Sequence, residues 1–497
     1  MSASARGNLQ SLKLPVWFNI ATVKGINDTS LVLTVQFFRS TGELYAMTIA
    51  GETVYIVTAP KDIAAVYRKT ASLTFDDFIR ETMISFHVSP STTIKMYQVP
   101  DQKVDHLKLN PLQKCLAHLV RDFHKEQLHP GEKMDVLANQ FVHHIDESLR
   151  WEKVCERFYP DPDGRERSEL SLLDWCKDIH LDAGTKAFFS EKLLSIDPTL
   201  FDHFVIFDNT SWKLMYRLPR VFAKDMHFAE KRLVEAFTTY FRLHKEQKVG
   251  QAWFVDAFEA QQRQLGIDDV DIARSMLMVY WVVNSNAYKL SFWILAYVLQ
   301  DRELISSLRA ETAQALQNDV VDMKYLLNLC PLLNATFDEG MRLTTLSSSS
   351  RCVTSPTAIG GKTLRSGAKV LIPYRQLHFS EEIFGEDIEG FHPDRFLKKE
   401  GLSGSPSYKP FGGGSTYCPG RFIARQEILA CVALMINRFN IELSTDGDSL
   451  HKGHSPQRFP LADGRKPSLG VMDPMNGHDL TVRVTRNSSL MTERKAS

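Results

Sequence analysis

The sequence lacks an excess of charge of either sign, and it lacks paired cysteines. Lysine plus arginine and aspartate plus glutamate number 59 each, so the overall charge offers no argument for a nucleic-acid partner or a strongly acidic substrate. The 7 cysteines are odd in number, widely spaced and free of Cys-x-x-Cys pairs. This pattern argues against a disulfide framework or a zinc ribbon and favours a reducing, intracellular compartment.

Long apolar runs are also missing from the N-terminal part. The lead over residues 1–40 has neither the charged-then-apolar layout of a signal peptide nor an apolar run of anchor length. The most apolar long segment, 276–299, carries two asparagines, a serine and a lysine near its middle, each of which is costly in a bilayer. We therefore expect no N-terminal membrane anchor and a buried core helix over 276–299.

The length and composition favour one large globular domain. The chain has 497 residues, of which 43% are apolar and 24% charged. Division by about 150 residues per domain suggests about three domains, but no linker rich in proline, serine or glycine marks a boundary. We predict a single domain over 41–487 and a disordered tail over 488–497.

The periodicity predicts a mainly α fold with smaller β-sheets, in the α+β class. The predicted elements are a hairpin over 44–58, a mostly helical body over 61–346, short strands over 353–373, a helix over 420–438 and a strand over 439–443. Asp268 and Asp269 are expected to cap the long apolar helix that follows them.

One cysteine lies between a glycine-rich turn and the start of a helix, in the sequence Phe411-Gly-Gly-Gly-Ser-Thr-Tyr-Cys418-Pro-Gly420. Glycines let a backbone approach a flat cofactor and point amide groups at the sulfur, and a helix N-terminus favours thiolate over thiol. No Gly-Lys-Ser/Thr follows, which argues against a phosphate loop. The loop fits a metal-bound thiolate, and a cysteine buried for packing alone is the other interpretation.

This loop resembles the signature of the cytochrome P-450 superfamily, Phe-x-x-Gly-x-x-x-Cys-x-Gly followed by an alanine. The matching residues are Phe411, Gly414, Cys418, Gly420 and Ala424. The resemblance covers roughly residues 40–485. It implies a single-domain fold that holds haem b, iron protoporphyrin IX, between a long distal helix and the cysteine loop, with Cys418 as the axial thiolate ligand.

Two further family motifs lie upstream in the expected order. Glu339 and Arg342 resemble the Glu-x-x-Arg helix, and Arg395 lies in Pro-Asp-Arg-Phe, which looks like the Pro-Glu-Arg-Phe loop. Residues three apart on a helix share one face and can pair. The resemblance implies that the three form a structural triad that braces the haem-binding core.

The sequence departs from the family pattern on both sides of the expected haem. Thr416 stands where most members carry an arginine or histidine that reaches a haem propionate, so Arg351, at a second family position, is expected to take that role. On the distal helix, Ser285 and Asn286 replace the acid and threonine that help deliver protons to dioxygen. These two are the candidate catalytic residues, and the motif is similar to the branch containing cholesterol 7α-hydroxylase, oxysterol hydroxylases and prostacyclin synthase.

Three functions are compatible with these motifs. The first is a monooxygenase that uses dioxygen and a separate NADPH-cytochrome P-450 reductase, since no Gly-x-Gly-x-x-Gly fingerprint follows a strand. The second is a haem-thiolate isomerase or dehydratase that acts on a peroxide without a reductase. The third is a haem-free structural or binding protein that kept the fold.

The resemblance also implies partners and a location. Lys409, Arg421 and Arg425 flank the cysteine loop, where acidic redox partners dock. The pocket walls, expected at 78–114, 201–222, 346–350 and 472–475, mix Phe, Leu and Met with few charges, which favours a bulky lipophilic substrate such as a sterol, terpenoid, lipid or specialised metabolite. A cytosolic or peripheral endoplasmic-reticulum location is expected.

The histidines carry no predicted metal site. His378 is expected to be structural, and the others, including His143 and His144, show no metal-ligand spacing with cysteines or acidic residues.

Overall fold

A computed structural model describes residues 42–49, 52–99, 110, 112–158, 168–444 and 458–487, except 465, 467 and 469. The predicted lead over 1–40 and the predicted tail over 488–497 lie outside these residues, as does part of the expected pocket wall at 78–114.

Helices make up most of the described chain. They are α1 (Pro60–Arg68), α2 (Asp76–Ser85), α3 (Pro90–Tyr97), α4 (Leu116–Leu128), α5 (Glu132–Ser148), α6 (Trp151–Phe158), α7 (Leu172–Ile196), α8 (Leu200–Met215), α9 (Lys224–Arg242), α10 (Trp253–Gln264), α11 (Asp269–Asn284), α12 (Ala287–Val298), α13 (Arg302–Thr312), α14 (Met323–Asn328), α15 (Pro331–Thr344), α16 (Tyr374–His378), α17 (Glu381–Phe384), α18 (Asp394–Lys398) and α19 (Arg421–Arg438). The mainly helical class is confirmed.

Within the part of the chain that the structure describes, the strands form three small sheets. They are β1 (Tyr45–Ile49), β2 (Glu52–Ile56), β3 (Leu73–Thr74), β4 (Ser168–Ser171), β5 (Ser348–Val353), β6 (Thr357–Ile359), β7 (Lys362–Leu364), β8 (Lys369–Pro373), β9 (Phe439–Leu443) and β10 (Thr481–Arg486). The orders are β1-β2-β8-β5-β3, β4-β10-β9 and β6-β7. The second sheet joins the start of α7 to the C-terminal strand.

The predicted N-terminal hairpin is present and supports one side of the site. β1 and β2 pair antiparallel, with Tyr45 opposite Ile56. β2 then runs parallel to β8, and β8 pairs antiparallel with β5, which places Arg351 opposite Val370. Tyr55, Val370 and Ile372 of this sheet are buried in a cluster with Ile63 and Val66 of α1.

The helix predicted over 276–299 is buried as expected, but it is not continuous. Asp268 caps its N-terminus by accepting a hydrogen bond from the Asp271 N–H at 2.9 Å. Every residue of α12 from Ala287 to Ala296 is buried, which is typical of a helix enclosed by others. The prediction of one helix is wrong at Ser285 and Asn286, where α11 ends and α12 begins.

Among the described residues, no helix combines the length and the hydropathy that crossing a membrane would require.

Candidate active site

The loop before α19 holds Cys418 through backbone contacts. The Cys418 N–H donates to the Phe411 carbonyl oxygen at 3.0 Å, which closes the loop on itself. Gly412 and Gly414 have φ values of +79° and +63°, a region that disfavours residues with a Cβ. Gly412 and Gly414 therefore let the chain reverse direction just before the sulfur.

The glycines also let an aromatic ring approach the backbone. A Cβ on Gly413 would lie 2.8 Å from Tyr67 Cε2, and one on Gly414 would lie 2.7 Å from Tyr67 Cγ. Tyr67 projects from α1, and its hydroxyl lies 2.6 Å from that of Tyr374, which follows β8. The cysteine loop is thus fixed against both the N-terminal helix and the large sheet.

Burial raises the pKa of the Cys418 thiol, while the N–H groups of Gly420 and Arg421 and the charge of Arg421 act in the opposite direction. Without a metal, the effect of burial is therefore larger than the expected effect of the helix N-terminus, and the thiol form is favoured over the thiolate. A metal cation reverses this balance, because a coordinated thiol loses its proton. The chemistry of the site suits a metal ligand better than a free nucleophile.

Arg351 lies beside this loop, as the sequence predicts. It is only 3% exposed, and it donates to Thr416 Oγ1 at 2.6 Å, to Ser349 Oγ at 2.7 Å and to the Ser350 carbonyl oxygen at 2.6 Å. No acidic side chain of the described residues forms an ion pair with it. Burial lowers the pKa of Arg351, because its charge is removed from water.

A buried cation without an anion is costly, so the surroundings of Arg351 suit a carboxylate-bearing ligand. Arg351 and Thr416 lie in direct contact, although Thr416 was expected only as the residue that cannot bind a propionate. The two side chains form one polar unit beside the cysteine loop. This donor set fits a haem whose propionate reaches Arg351.

The residues of the predicted triad lie together. Glu339 and Arg342 are fully buried, and the Arg342 Nε and Nη2 atoms donate to Glu339 Oε2 and Oε1 at 2.7 and 2.8 Å. Arg395 Nε lies 3.3 Å from Glu339 Oε1. Arg342 also donates to three carbonyl oxygens, those of His378, Ile388 and Gly390. The triad therefore joins α15 to the loop segments that follow α16.

His378 lies against this triad as a neutral structural group. Burial, with the charges of Arg342 and Arg375, lowers its pKa to about 3. Its Nε2 accepts a hydrogen bond from the Lys409 N–H at 2.9 Å. His378 thereby positions the chain that leads into the cysteine loop.

At the break in the distal helix, Asn286 contacts the C-terminal loop. Its Oδ1 accepts a hydrogen bond from the Val471 N–H at 3.0 Å, and its Nδ2 donates to Ser285 Oγ at 3.1 Å. A Cβ on Gly470 would lie 2.2 Å from Asn286 Oδ1, so the close approach requires glycine. Half of the Asn286 carboxamide is therefore engaged with the C-terminal loop and not with its own helix.

Sequence reasoning missed a buried charge network next to this break. Lys289 Nζ lies 3.1 Å from Asp208 Oδ2 on α8 and 3.0 Å from Asp473 Oδ1 in the C-terminal loop. Tyr288 and Trp281 donate to Asp208 at 2.7 and 2.9 Å. The network could have been predicted from Lys289, because a lysine in the most apolar segment of the sequence needs a buried anion beside it.

Comparisons with known proteins agree with this site. The family model of cytochrome P-450 matches residues 150–463. The cytochrome P-450 monooxygenase poxD of Penicillium oxalicum is 25% identical over 415 residues, 80% of each chain. Cytochrome P-450 7A1 of Sus scrofa is 24% identical over 376 residues, 70% of this chain and 71% of that protein.

A third relative is the 5-beta-cholestane-3-alpha,7-alpha-diol 12-alpha-hydroxylase of Sus scrofa, which is 28% identical over 350 residues, 63% of this chain and 66% of the relative. The family match covers more than half of the chain and includes the triad and Cys418. Both the predicted family and the predicted class of enzyme are confirmed. The chain belongs to the cytochrome P-450 family of haem-thiolate oxidoreductases.

Proposed function

We propose that the chain is a monooxygenase that binds haem b through Cys418 and oxidises a bulky lipophilic molecule. The observation that carries the proposal is that Arg351, a buried cation with no acidic partner among the described residues, donates a hydrogen bond to Thr416 in the loop that holds Cys418. When bound through a thiolate, haem supplies dioxygen activation, because the thiolate favours O–O cleavage.

On the proximal side, each proposed residue has a distinct role. Cys418 binds the iron, and Arg351 with Thr416 holds a propionate. Phe411, Gly414 and Gly420 shape the loop around the sulfur. Glu339, Arg342 and Arg395 hold the loop segments in place.

On the distal side, Ser285 is the proposed catalytic residue, and Asn286 is the residue proposed to position it. Ser285 Oγ accepts from Asn286 Nδ2, which leaves its own hydroxyl proton free to be donated. Asn286 is held by Val471, so its role is to fix the orientation of Ser285 rather than to move. Ser285 Oγ would therefore relay protons, accepting one from water as it donates one, because a hydroxyl is a far weaker acid than the carboxyl group common in the family.

The substrate is proposed from the walls of the distal side. The segments expected to form these walls are rich in apolar residues, among which Phe204, Phe207, Val471 and Met472 are buried. Apolar walls with few polar groups suit a sterol, terpenoid, lipid or specialised metabolite. A sterol-sized substrate is supported by the name of the 12-alpha-hydroxylase relative, which acts on a cholestane.

The electrons are proposed to come from a separate NADPH-cytochrome P-450 reductase. Of the three basic residues expected to receive it, Arg425 is engaged internally, because it donates to Asp338 and Asn334. Lys409 and Arg421 remain the proposed docking residues, and Arg421 lies over the Tyr417 ring at 4.3 Å. A peripheral endoplasmic-reticulum location would bring the enzyme to such a reductase.

A haem-thiolate isomerase is the second candidate. The absence of a carboxyl group at Ser285 favours it, because rearrangement of a peroxide needs no external protons or electrons. Lipophilic compounds that shift the haem spectrum would first be selected, then incubated with reductase under defined conditions. The monooxygenase predicts product only with both NADPH and dioxygen. Product formed anaerobically without NADPH would support the isomerase instead.

A further inference from the structure

Two histidines and one glutamate from distant parts of the chain meet outside the haem site. His87 Nδ1 lies 2.7 Å from Glu230 Oε1, and His227 Nδ1 lies 3.3 Å from Glu230 Oε2. One donor atom from each residue lies within 4.8 Å of the others. The cluster joins the end of α2 to α9, and it is independent of the haem ligands.

The backbone fixes His87 in an unusual position. His87 has a φ of +57°, and it closes α2 with a hydrogen bond from its N–H to the Ile84 carbonyl oxygen while Val88 donates to Met83. This is the C-terminal cap position at which glycine is strongly favoured. A histidine there costs backbone strain, which proteins keep chiefly at functional positions.

The acidic partner is shielded from water. The Glu230 side chain is 9% exposed and the His227 side chain 21%, whereas that of His87 is 39% exposed. Glu230 and His227 lie three positions apart on α9, so both side chains share one helix face. The cluster therefore has a buried carboxylate at its base and one side open to solvent.

We propose that His87, His227 and Glu230 bind one Zn²⁺ ion, with water at the open position. Two imidazole nitrogens and one carboxylate oxygen form a set that zinc accepts, whereas Mg²⁺ and Ca²⁺ require more oxygen ligands. Tetrahedral ligands about 2.1 Å from zinc stand about 3.4 Å apart. The His87 nitrogen lies 2.7 Å from one Glu230 oxygen and the His227 nitrogen 3.3 Å from the other, and one ligand atom from each residue lies within 4.8 Å of the other two, so side-chain rotations can bring them to that value.

The ion would act as a clamp on the distal side of the molecule. Phe86, next to His87, packs against Phe207 of α8 and Trp281 of α11 with ring centroids 5.8 and 5.5 Å away. A zinc ion that joins α2 to α9 would therefore restrain the packing of Phe86 against Phe207 and Trp281, and Trp281 lies four residues before the break at Ser285.

Sequence spacing could not indicate the cluster, because His87 and Glu230 are 143 positions apart. The histidines show no metal-ligand spacing in the sequence, and the fold alone brings these three residues together. A second group, His143, His144 and Glu147, lies on one exposed face of α5, with the His143 side chain 60% exposed. It has no buried member, and we propose no ion there.

The test is Zn²⁺ binding to the tag-free haem-loaded enzyme, followed by calorimetry and by the zinc-to-iron ratio after dialysis. We expect one zinc per chain. His87→Ala, His227→Ala and Glu230→Gln should each weaken binding by more than about 100-fold, since even outer-shell changes cost about 10–100-fold. Zn²⁺ should also raise the unfolding temperature of the wild type and of none of these variants.

His118→Ala is the matched control. His118 pairs with one carboxylate, Asp76, at 2.9 Å and its side chain is 41% exposed, but it belongs to no potential metal-ligand group among the described residues. Its zinc stoichiometry should equal that of the wild type. A wild type that binds no zinc, or equal loss in His118→Ala and His87→Ala, would overturn the proposal. The haem spectrum of each variant reports whether it is folded.

Discussion

Replacement of Lys289 by methionine should destabilise the protein strongly, although the change removes a charge from an apolar helix. Lys289 is buried between Asp208 and Asp473, and the side chains of the three are 6%, 4% and 23% exposed. Burial alone lowers the pKa of Lys289, but the two carboxylates raise it to a larger extent, so the net shift is upward. Lys289→Met would leave both carboxylates without their cation.

The expected loss is about 3–5 kcal/mol, the usual cost of removing one partner from a buried ion pair. The gross attraction of each contact, at 3.1 and 3.0 Å, is about 5 kcal/mol at an effective dielectric constant of about 20. Burial raises the pKa of Asp473, whereas Lys289 lowers it, so loss of the lysine raises it further. The penalty for a raised carboxyl pKa fades as the pH falls, so the deficit should shrink in acid.

The assay is denaturant unfolding of the haem-loaded protein, followed by far-UV circular dichroism and haem absorbance. Lys289→Met/Asp473→Asn should recover part of the loss, because one of the two stranded charges is gone. The matched control is Lys231→Met: Lys231 lies 3.8 Å from Glu235 with both side chains exposed, and its loss should cost less than about 1 kcal/mol. Equal stability of the two lysine variants would refute the reasoning.

Further predictions concern the site and its supports. Arg351→Leu should release haem to excess apomyoglobin about 10- to 100-fold faster than the wild type, because a charged hydrogen bond worth about 1.5–3 kcal/mol is lost. Arg351→Lys should keep part of the wild-type haem retention, and an Arg351→Leu variant with unchanged haem retention would show that Arg351 does not bind a propionate. Gly470→Ala should lower the free energy of unfolding by about 1–3 kcal/mol, because the new Cβ would lie 2.2 Å from Asn286 Oδ1. In a double-mutant cycle, Asn286→Ala should relieve much of that loss, whereas additive losses would contradict the contact. The wild type should lose stability as the pH falls from 6.5 towards 3, because the pKa of His378 is lowered to about 3 and the unfolded chain takes up the proton first; His378→Gln should show a shallower pH dependence of unfolding.

Local patterns predicted the elements whose stability depends on near neighbours. The β1–β2 hairpin, the Asp268 cap and α19 all follow from short-range periodicity and capping chemistry. The pairing of Glu339 with Arg342 likewise reflects their spacing on one helix face. Arg395 is too far along the sequence to be added to that pair from spacing, and only the family motif predicted it.

Long-range contacts decided the features that the sequence did not reveal. The break in the distal helix coincides with the contact between Asn286 and Val471, which are 185 positions apart. Arg351 and Thr416 are 65 positions apart, so their hydrogen bond could not be read from either motif. The internal pairing of Arg425 with Asp338 was hidden for the same reason. Periodicity indicates which face of a helix or strand is buried, but it does not indicate which residues pack against that face.

The central claim is that Cys418 is the thiolate ligand of a haem iron. The most direct measurement is the absorbance spectrum of the reduced, carbon monoxide-treated protein, compared between wild type and Cys418→Ala, with Cys431→Ala as a buried cysteine control. The account predicts a strongly red-shifted Soret band for the wild type and for Cys431→Ala, and its absence in Cys418→Ala. A wild-type protein that binds no haem, or a Cys418→Ala variant that keeps the shifted band, would contradict it.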